Sequence, residues 1–177
     1  MILELNVELK DTNPKIWRKI QVNADITLDN LHDIIQTSMG WTNSHLYSFI
    51  IAEIEYSSKD YDYDNYKYGN SRSYQLKEFQ NEHIEYLYDF GDYWEHSIQV
   101  LKKIEGEKLL NPICLDGKGK CPPEDVGGIP GFGEFLKIMK DKSNPERESY
   151  IEWYGSEFKP DEFSLEEINK NLAKVPL

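Results

Sequence analysis

Two runs at the start of the chain, ILELNVEL from Ile2 and IWRKIQV from Ile16, alternate apolar and polar residues with a period of two. That period demands a half-buried strand, and the turn formers Asp11-Thr12-Asn13-Pro14 between the runs fold the second back on the first. A helix is expected next. Thr27 stands at its N-cap, Leu28, Leu31, Ile34 and Ile35 share one face, and Gly40 follows as a C-cap. The run HLYSFIIAEIEY, residues 45–56, reads as a third strand. The order strand–strand–helix–strand is that of a β-grasp-like start.

Further along, residues 57–74 are rich in Tyr and Asp without helical period, and read as a long solvated loop or protruding hairpin. Stacked Tyr and Asp could also make a recognition surface there. Residues 82–89 and 93–104 alternate as two more strands. After Gly106 a Pro/Gly-rich segment follows, then three helices. The first carries Phe132, Phe135, Leu136 and Met139, the second opens at Ser143-Asn144-Pro145-Glu146, and the third is announced by the capping box Ser164…Glu167. The expected architecture is a single α+β domain over residues 1–177. It comprises a sheet-rich core (1–105) whose antiparallel sheet is crossed by one helix, a Pro/Gly-rich loop (106–131) and a C-terminal helical cap (132–177).

Composition narrows the function. Twenty Lys and Arg against 32 Asp and Glu give a net charge of −12, so direct nucleic-acid binding, which needs cations to neutralise phosphates, is disfavoured. The denser basic pieces, Lys15/Arg18/Lys19 and Lys102/Lys103, fit the solvent side of strands. A basic protein partner suits the charge instead. No apolar run approaches the roughly 20 residues of a membrane span. The N-terminus reads as a strand rather than a signal peptide, and with two cysteines a cytoplasmic protein with reduced thiols is expected.

The chemistry-bearing stretch is YDFGDYWEH, residues 88–96, with three carboxylates, one imidazole and four aromatic rings. A tight turn centred on Phe90-Gly91 would oppose Asp89 with Asp92, Leu87 with Trp94 and Glu85 with His96. The facing aspartates would cost up to about 1 kcal/mol and need a compensating cation or N–H donors. Two readings follow. In the preferred one this is a structural hairpin: Asp89 and Asp92 cap backbone N–H groups while Trp94 and His96 pack in the core. In the other, Asp89, Asp92, His96, Glu124 and Asp125 are a divalent-metal or acid–base cluster for hydrolysis. The Asp-Phe-Gly triplet also occurs in protein kinases, but no Gly-rich loop or catalytic-loop motif accompanies it here.

CPPEDVGGIPGFG, from Cys121, couples a rigid Pro-Pro turn and two acids to a glycine-rich helix start. Without the Lys and Ser/Thr of a P-loop it is a poor anion cradle. Its backbone is expected to pass close to the 89–92 turn, with N–H groups answering the carboxylates; Trp94, Gly127 and Gly128 are the binding candidates of that convergence. Six residues separate Cys114 from Cys121, a wider gap than in usual structural zinc pairs. Free buried thiols are preferred. The alternatives are metal ligation with His96 and Glu124 or Asp125, or a disulfide.

Five blocks, PKIWRKIQV, TLDNLHDIIQTSMGW, YDFGDYWEHSIQV, CLDGKGKCPPEDVGGIPGF and EFKPDEFSLEEINKNL, together resemble the plasmid pRiA-4b Orf-three-like proteins, found on plasmids and beside transposases in mobile elements. The resemblance spans nearly the whole chain and implies an α+β fold and a cytoplasmic protein. It supplies no mechanism. Relatives often carry Cys where Val126 stands, so any three-cysteine site would lack a ligand here. The expected function is a non-catalytic binding module of mobile-element biology with a protein partner and no cofactor; the alternative is a metal-dependent hydrolase or nuclease.

Overall fold

The computed structural model describes residues 1–58 and 68–176. Among them, β1 (Ile2–Leu9), β2 (Ile16–Asn23), α1 (Leu28–Met39), β3 (Tyr47–Ile51), β4 (Ile54–Ser57), β5 (Tyr68–Asn70), β6 (Ile84–Tyr88), β7 (Trp94–Ile104), β8 (Ile113–Lys118), α2 (Gly128–Lys140), α3 (Arg147–Tyr154) and α4 (Leu165–Leu172) follow in order. The strands form one eight-stranded sheet in the order β5-β4-β3-β6-β7-β1-β2-β8. Every neighbouring pair is antiparallel except β4 and β5.

The α+β class and the opening strand–strand–helix–strand order hold, but the β-grasp comparison does not. β6 and β7 lie between β1 and β3, so the first three strands do not make a small sheet of their own. Three local readings also change. The run 45–56 is a hairpin rather than one strand, because Ala52 and Glu53 take positive φ (48° and 62°) and turn β3 into β4. That two-residue geometry is usually signalled by Asn-Gly or Asp-Gly, and no such pair stands here. The segment 106–131 contains β8 and the first turn of α2, which starts at Gly128 with Pro130 near its start as expected. Of the Tyr/Asp-rich stretch, Ser57 ends β4 and Tyr68–Asn70 form β5; residues 59–67 lie outside the described residues.

Alternation along the strands puts one face of the sheet in the core. Ile16, Leu9, His96, Tyr86, Phe49 and Tyr56 line up across six strands, and all are buried. The next row carries Trp94, Tyr88 and Tyr47. Against these rows α1 sets Leu28, Leu31, Ile34 and Ile35, and α2 sets Phe132, Phe135 and Met139, in one apolar cluster. Parity also corrects Arg18, expected on the solvent side: it shares the face of Ile16 and Ile20 and is buried. Its guanidinium is satisfied by backbone carbonyls, donating to Ser38 (2.8 Å), Trp17 (2.8 Å), Lys118 (2.9 Å) and Gly119 (2.9 Å). It ties α1, β2 and the end of β8 together without a carboxylate.

The helix signals are realised as capping bonds. Thr27 Oγ1 accepts the Asn30 N–H (3.1 Å), Asn30 Oδ1 accepts the Thr27 N–H (3.2 Å), and Gly40 ends α1 in the left-handed region. Ser164 Oγ accepts the Glu167 N–H at the start of α4. Among the described residues no helix is long and apolar enough to cross a membrane.

Candidate functional site

Three connections meet at one end of the sheet: residues 41–46 between α1 and β3, the 89–93 turn between β6 and β7, and the 121–127 loop before α2. The turn is longer than expected. Tyr88 pairs with Trp94, Tyr86 with His96 and Leu87 with Glu95, so five residues, 89–93, make the connection. Asp89 (φ 58°) and Tyr93 (φ 61°) carry its left-handed positions, and the Tyr93 N–H closes it on the Asp89 carbonyl (2.6 Å). Asp89 therefore does not face Asp92, Trp94 faces Tyr88 rather than Leu87, and His96 faces Tyr86 rather than Glu85.

The two aspartates part company. Asp89 is buried, with Oδ1 accepting the Gly91 N–H (2.8 Å). Asp92 reaches across to the glycine loop, where Oδ2 accepts the Gly127 N–H (3.1 Å). A Cβ on Gly128 would lie 2.5 Å from the Asp92 carbonyl oxygen. The turn and the glycine loop are thus in direct backbone contact.

The first connection is locked from several sides. The Asn43 N–H donates to Gln36 Oε1 (3.0 Å), and Asn43 Oδ1 lies 2.7 Å from His32 Nε2. The Ser44 N–H donates to the Tyr88 hydroxyl (3.0 Å), and the Asp89 N–H donates to the Leu46 carbonyl (2.9 Å). Trp41, packed on Tyr88, donates from Nε1 to the Pro122 carbonyl (3.0 Å) and so pins the third loop. Glu124 is held in turn by the Thr42 N–H (2.9 Å), the Thr42 hydroxyl (3.1 Å) and the Tyr88 hydroxyl (3.1 Å). Burial, and then the Glu124 charge, push the Tyr88 phenol above its usual range, so it stays a donor.

Between these loops sits His45, a residue the sequence reading passed over. Its Nε2 lies 3.3 Å from Asp125 Oδ1, 3.6 Å from Asp89 Oδ2 and 3.8 Å from Glu124 Oε2. The atom is shielded from solvent and has no hydrogen-bond partner. Asp125 reaches the group from a left-handed backbone position (φ 58°), with its side chain 73% exposed. The structure therefore brings together Asp89, Glu124 and Asp125 of the expected residues, adds His45, and leaves Asp92 one step away at Gly127.

His96, Trp94 and the two cysteines are placed elsewhere. His96 and Trp94 are fully buried on the core face, because both share the parity of Ile98. His96 Nδ1 lies 3.2 Å from the Tyr86 carbonyl, and burial lowers its pKa to about 4. Cys114 and Cys121 are free and buried. The Cys121 thiol lies 3.2 Å from the Met39 thioether, and burial raises its pKa to about 11 despite the Arg18 charge nearby. Among the described residues, the one group of metal-ligating side chains is His45, Asp89 and Asp125, with no sulfur in it.

A family model described as Plasmid pRiA4b ORF-3-like protein matches residues 1–167. The chain belongs to this family. Protein y4hQ of Sinorhizobium fredii, described as uncharacterized, is 35% identical over 158 residues, covering 88% of this chain and 81% of its own. A solved structure, the protein of unknown function MM3350 from Methanosarcina mazei Go1, superposes with a TM-score of 0.82 at 30% identity, covering 94% of this chain and 95% of its own. That likeness spans 94% of this chain and supports the overall fold. Val126, in the loop before α2, is partly buried and packs against the core.

Proposed function

We propose that the chain is a non-catalytic binding module that works through the loop-built end of its sheet and engages a basic protein partner. The observation that carries this reading is a charge imbalance. Asp89, Glu124 and Asp125 crowd one imidazole, and among the described residues no Lys or Arg forms an ion pair with any of them. Like charges packed together without a cation favour a ligand that brings one.

Exposed aromatics flank the group. Tyr93 is 55% exposed in the turn, and Trp153 is 50% exposed beside Asp125 in a cleft of about 340 Å³. Aromatic side chains with a polar rim are what interface centres use. The family's name ties its namesake to a plasmid, and we place the partner in that mobile-element setting, a transposase being one protein of suitable charge. Capture of a partner that elutes at high salt, and is lost with Glu124→Gln/Asp125→Asn, supports the reading. A complex undiminished at about 1 M salt counts against it.

A second reading, a metal-dependent hydrolase or nuclease, is favoured by His45 standing among the carboxylates. It requires hydrolysis of an ester or phosphodiester that depends on a divalent ion and disappears in Asp125→Asn.

A further inference from the structure

We propose that His45, Asp89 and Asp125, with Glu124 beside them, are the ligands of a divalent first-row transition-metal ion. This rests on the reading of that end of the sheet as the working site and deepens it by naming what the carboxylates hold.

The distances argue first. His45 Nε2 stands 3.3, 3.6 and 3.8 Å from one oxygen each of Asp125, Asp89 and Glu124. All three are longer than an N–H···O hydrogen bond, which closes at about 2.7–3.2 Å. They are what ligands of a shared ion require. Nitrogen and oxygen donors about 2.0–2.2 Å from a metal stand roughly 3.4 Å apart on a tetrahedron. The Nε2 and the Asp89 and Asp125 oxygens all fall within 4.8 Å of one another.

Unmet demand at the same imidazole, whose side chain is 28% exposed while its Nε2 is shielded, argues second. Nε2 is a buried ring nitrogen without a hydrogen-bond partner, and such an atom forfeits hydration unless something else binds it. Asp89 presents a buried carboxylate, 5% exposed, whose nearest cation-capable group is that same imidazole. An ion answers both with one placement, lending positive charge to the carboxylates and accepting the imidazole lone pair.

The supports fit the same end. Asp89 Oδ1 is occupied by the Gly91 N–H, which leaves Oδ2 turned to His45. Glu124 Oε1 is engaged by Thr42 and Tyr88, and Oε2, which also lies 3.3 Å from the Tyr88 hydroxyl, faces the imidazole. Hydrogen bonds of this kind orient ligands for a metal.

The donor set selects the ion. One imidazole with carboxylates suits ions that accept nitrogen and oxygen alike, zinc and manganese among them, and gives calcium no advantage over these. The Cys121 thiol is turned into the Met39 contact and contributes nothing. The exposed Asp125 side marks where solvent or a partner group would complete the coordination.

The test is metal titration of the full chain, stripped with chelator, using Zn²⁺, Mn²⁺ and Ca²⁺ separately. Calorimetry is followed by elemental analysis, and Co²⁺ absorption reports the ligands. About one equivalent of Zn²⁺ or Mn²⁺ is expected, with no thiolate charge-transfer band in the Co²⁺ spectrum and unchanged binding in Cys114→Ser/Cys121→Ser. Asp125→Asn, at an exposed side chain, should keep the fold by circular dichroism and weaken binding about tenfold or more, as should His45→Ala. No stoichiometric ion in the parent protein overturns the site. So does equal affinity in His45→Ala and Asp125→Asn, or a band that disappears with the cysteines.

Partner capture by Tyr93→Ala separates this from the binding-module reading. Metal retained with the partner lost leaves the metal site standing on its own. A partner captured by a chain that takes up no metal overturns the metal site and leaves the binding face.

Discussion

Substitution of Gly128 by Ala tests whether the glycine loop and the 89–93 turn are in the backbone contact on which the whole site depends. Gly128 has φ +66°, and an added Cβ would stand 2.5 Å from the Asp92 carbonyl oxygen and 3.4 Å from its carbon. The left-handed backbone alone costs an alanine about 1–2 kcal/mol. The overlap is with main chain, which cannot rotate away, and forcing an extra carbon into a filled space adds about 1–3 kcal/mol. A loss of about 2–5 kcal/mol is expected from urea unfolding followed by fluorescence of Trp41 and Trp94. That is a large share of an ordinary domain's stability of about 5–15 kcal/mol. Gly133 supplies the control, since a Cβ there meets nothing within 4 Å and the residue lies inside α2. Gly133→Ala should gain about 0.5–1 kcal/mol from helix propensity. The clash is with the Asp92 carbonyl, so Asp92→Ala should not rescue Gly128→Ala. A Gly128→Ala protein within about 0.5 kcal/mol of the parent, or one restored by Asp92→Ala, would refute this account of the contact.

Other outcomes follow from buried polar groups. Burial holds the pKa of His32 and His96 at about 4, below the usual 6.5, so their contribution is fully present above pH 6.5 and is lost as pH falls toward 4. Urea titrations at pH 7 and pH 5 should differ by roughly 2 kcal/mol per histidine, and equal stability at the two pH values would show that these rings are not held neutral. The Cys114 and Cys121 thiols, buried and with raised pKa values, should react with a disulfide reagent at pH 8 only as fast as the chain unfolds; prompt reaction of either in the native protein would contradict their placement. Asn169 takes the Cys114 N–H on Oδ1 (2.7 Å) and donates from Nδ2 to the Cys114 carbonyl (2.9 Å), standing in for a ninth strand on the edge of β8. Asn169→Ala should lose about 1–3 kcal/mol in thermal or urea unfolding and speed hydrogen exchange at the Cys114 amide, which a spectator Asn169 would leave unchanged.

The strands and helices with strong period were legible because burial and alternation speak the same language. ILELNVEL, the α1 face and the Ser164 cap reappear where the residues place them. Arg18 shows the opposite case. Its parity with Ile16 and Ile20 points inward, while its charge suggested solvent, and parity won because four backbone carbonyls were available to satisfy it. The β3–β4 turn was silent, since Ala52 and Glu53 carry none of the usual turn chemistry and only the pairing of Ile51 with Ile54 reveals it. The five-residue 89–93 turn was misjudged by one register step, and a single step moves every side chain to the other face. That step is why His96, expected opposite Glu85, stands opposite Tyr86; its burial in the core is the one the structural-hairpin reading expected.

His45 was invisible for a related reason. Alone in the run Asn43-Ser44-His45-Leu46 it is a lone imidazole before a strand, and nothing local gives it a partner. Its neighbours are set by the pairing of Tyr47 with Tyr88, which carries residue 45 to the mouth of the 89–93 turn, and by the Trp41 bond to Pro122, which brings Glu124 and Asp125 over the top. Three connections that are far apart in sequence become a charged group only when the sheet order is known. The structural and chemical readings of YDFGDYWEH are therefore not rivals. Asp92 is taken up in holding the glycine loop, Trp94 and His96 fill the core, and Asp89, freed from facing Asp92 by the longer turn, is the one acid of the motif left to meet His45.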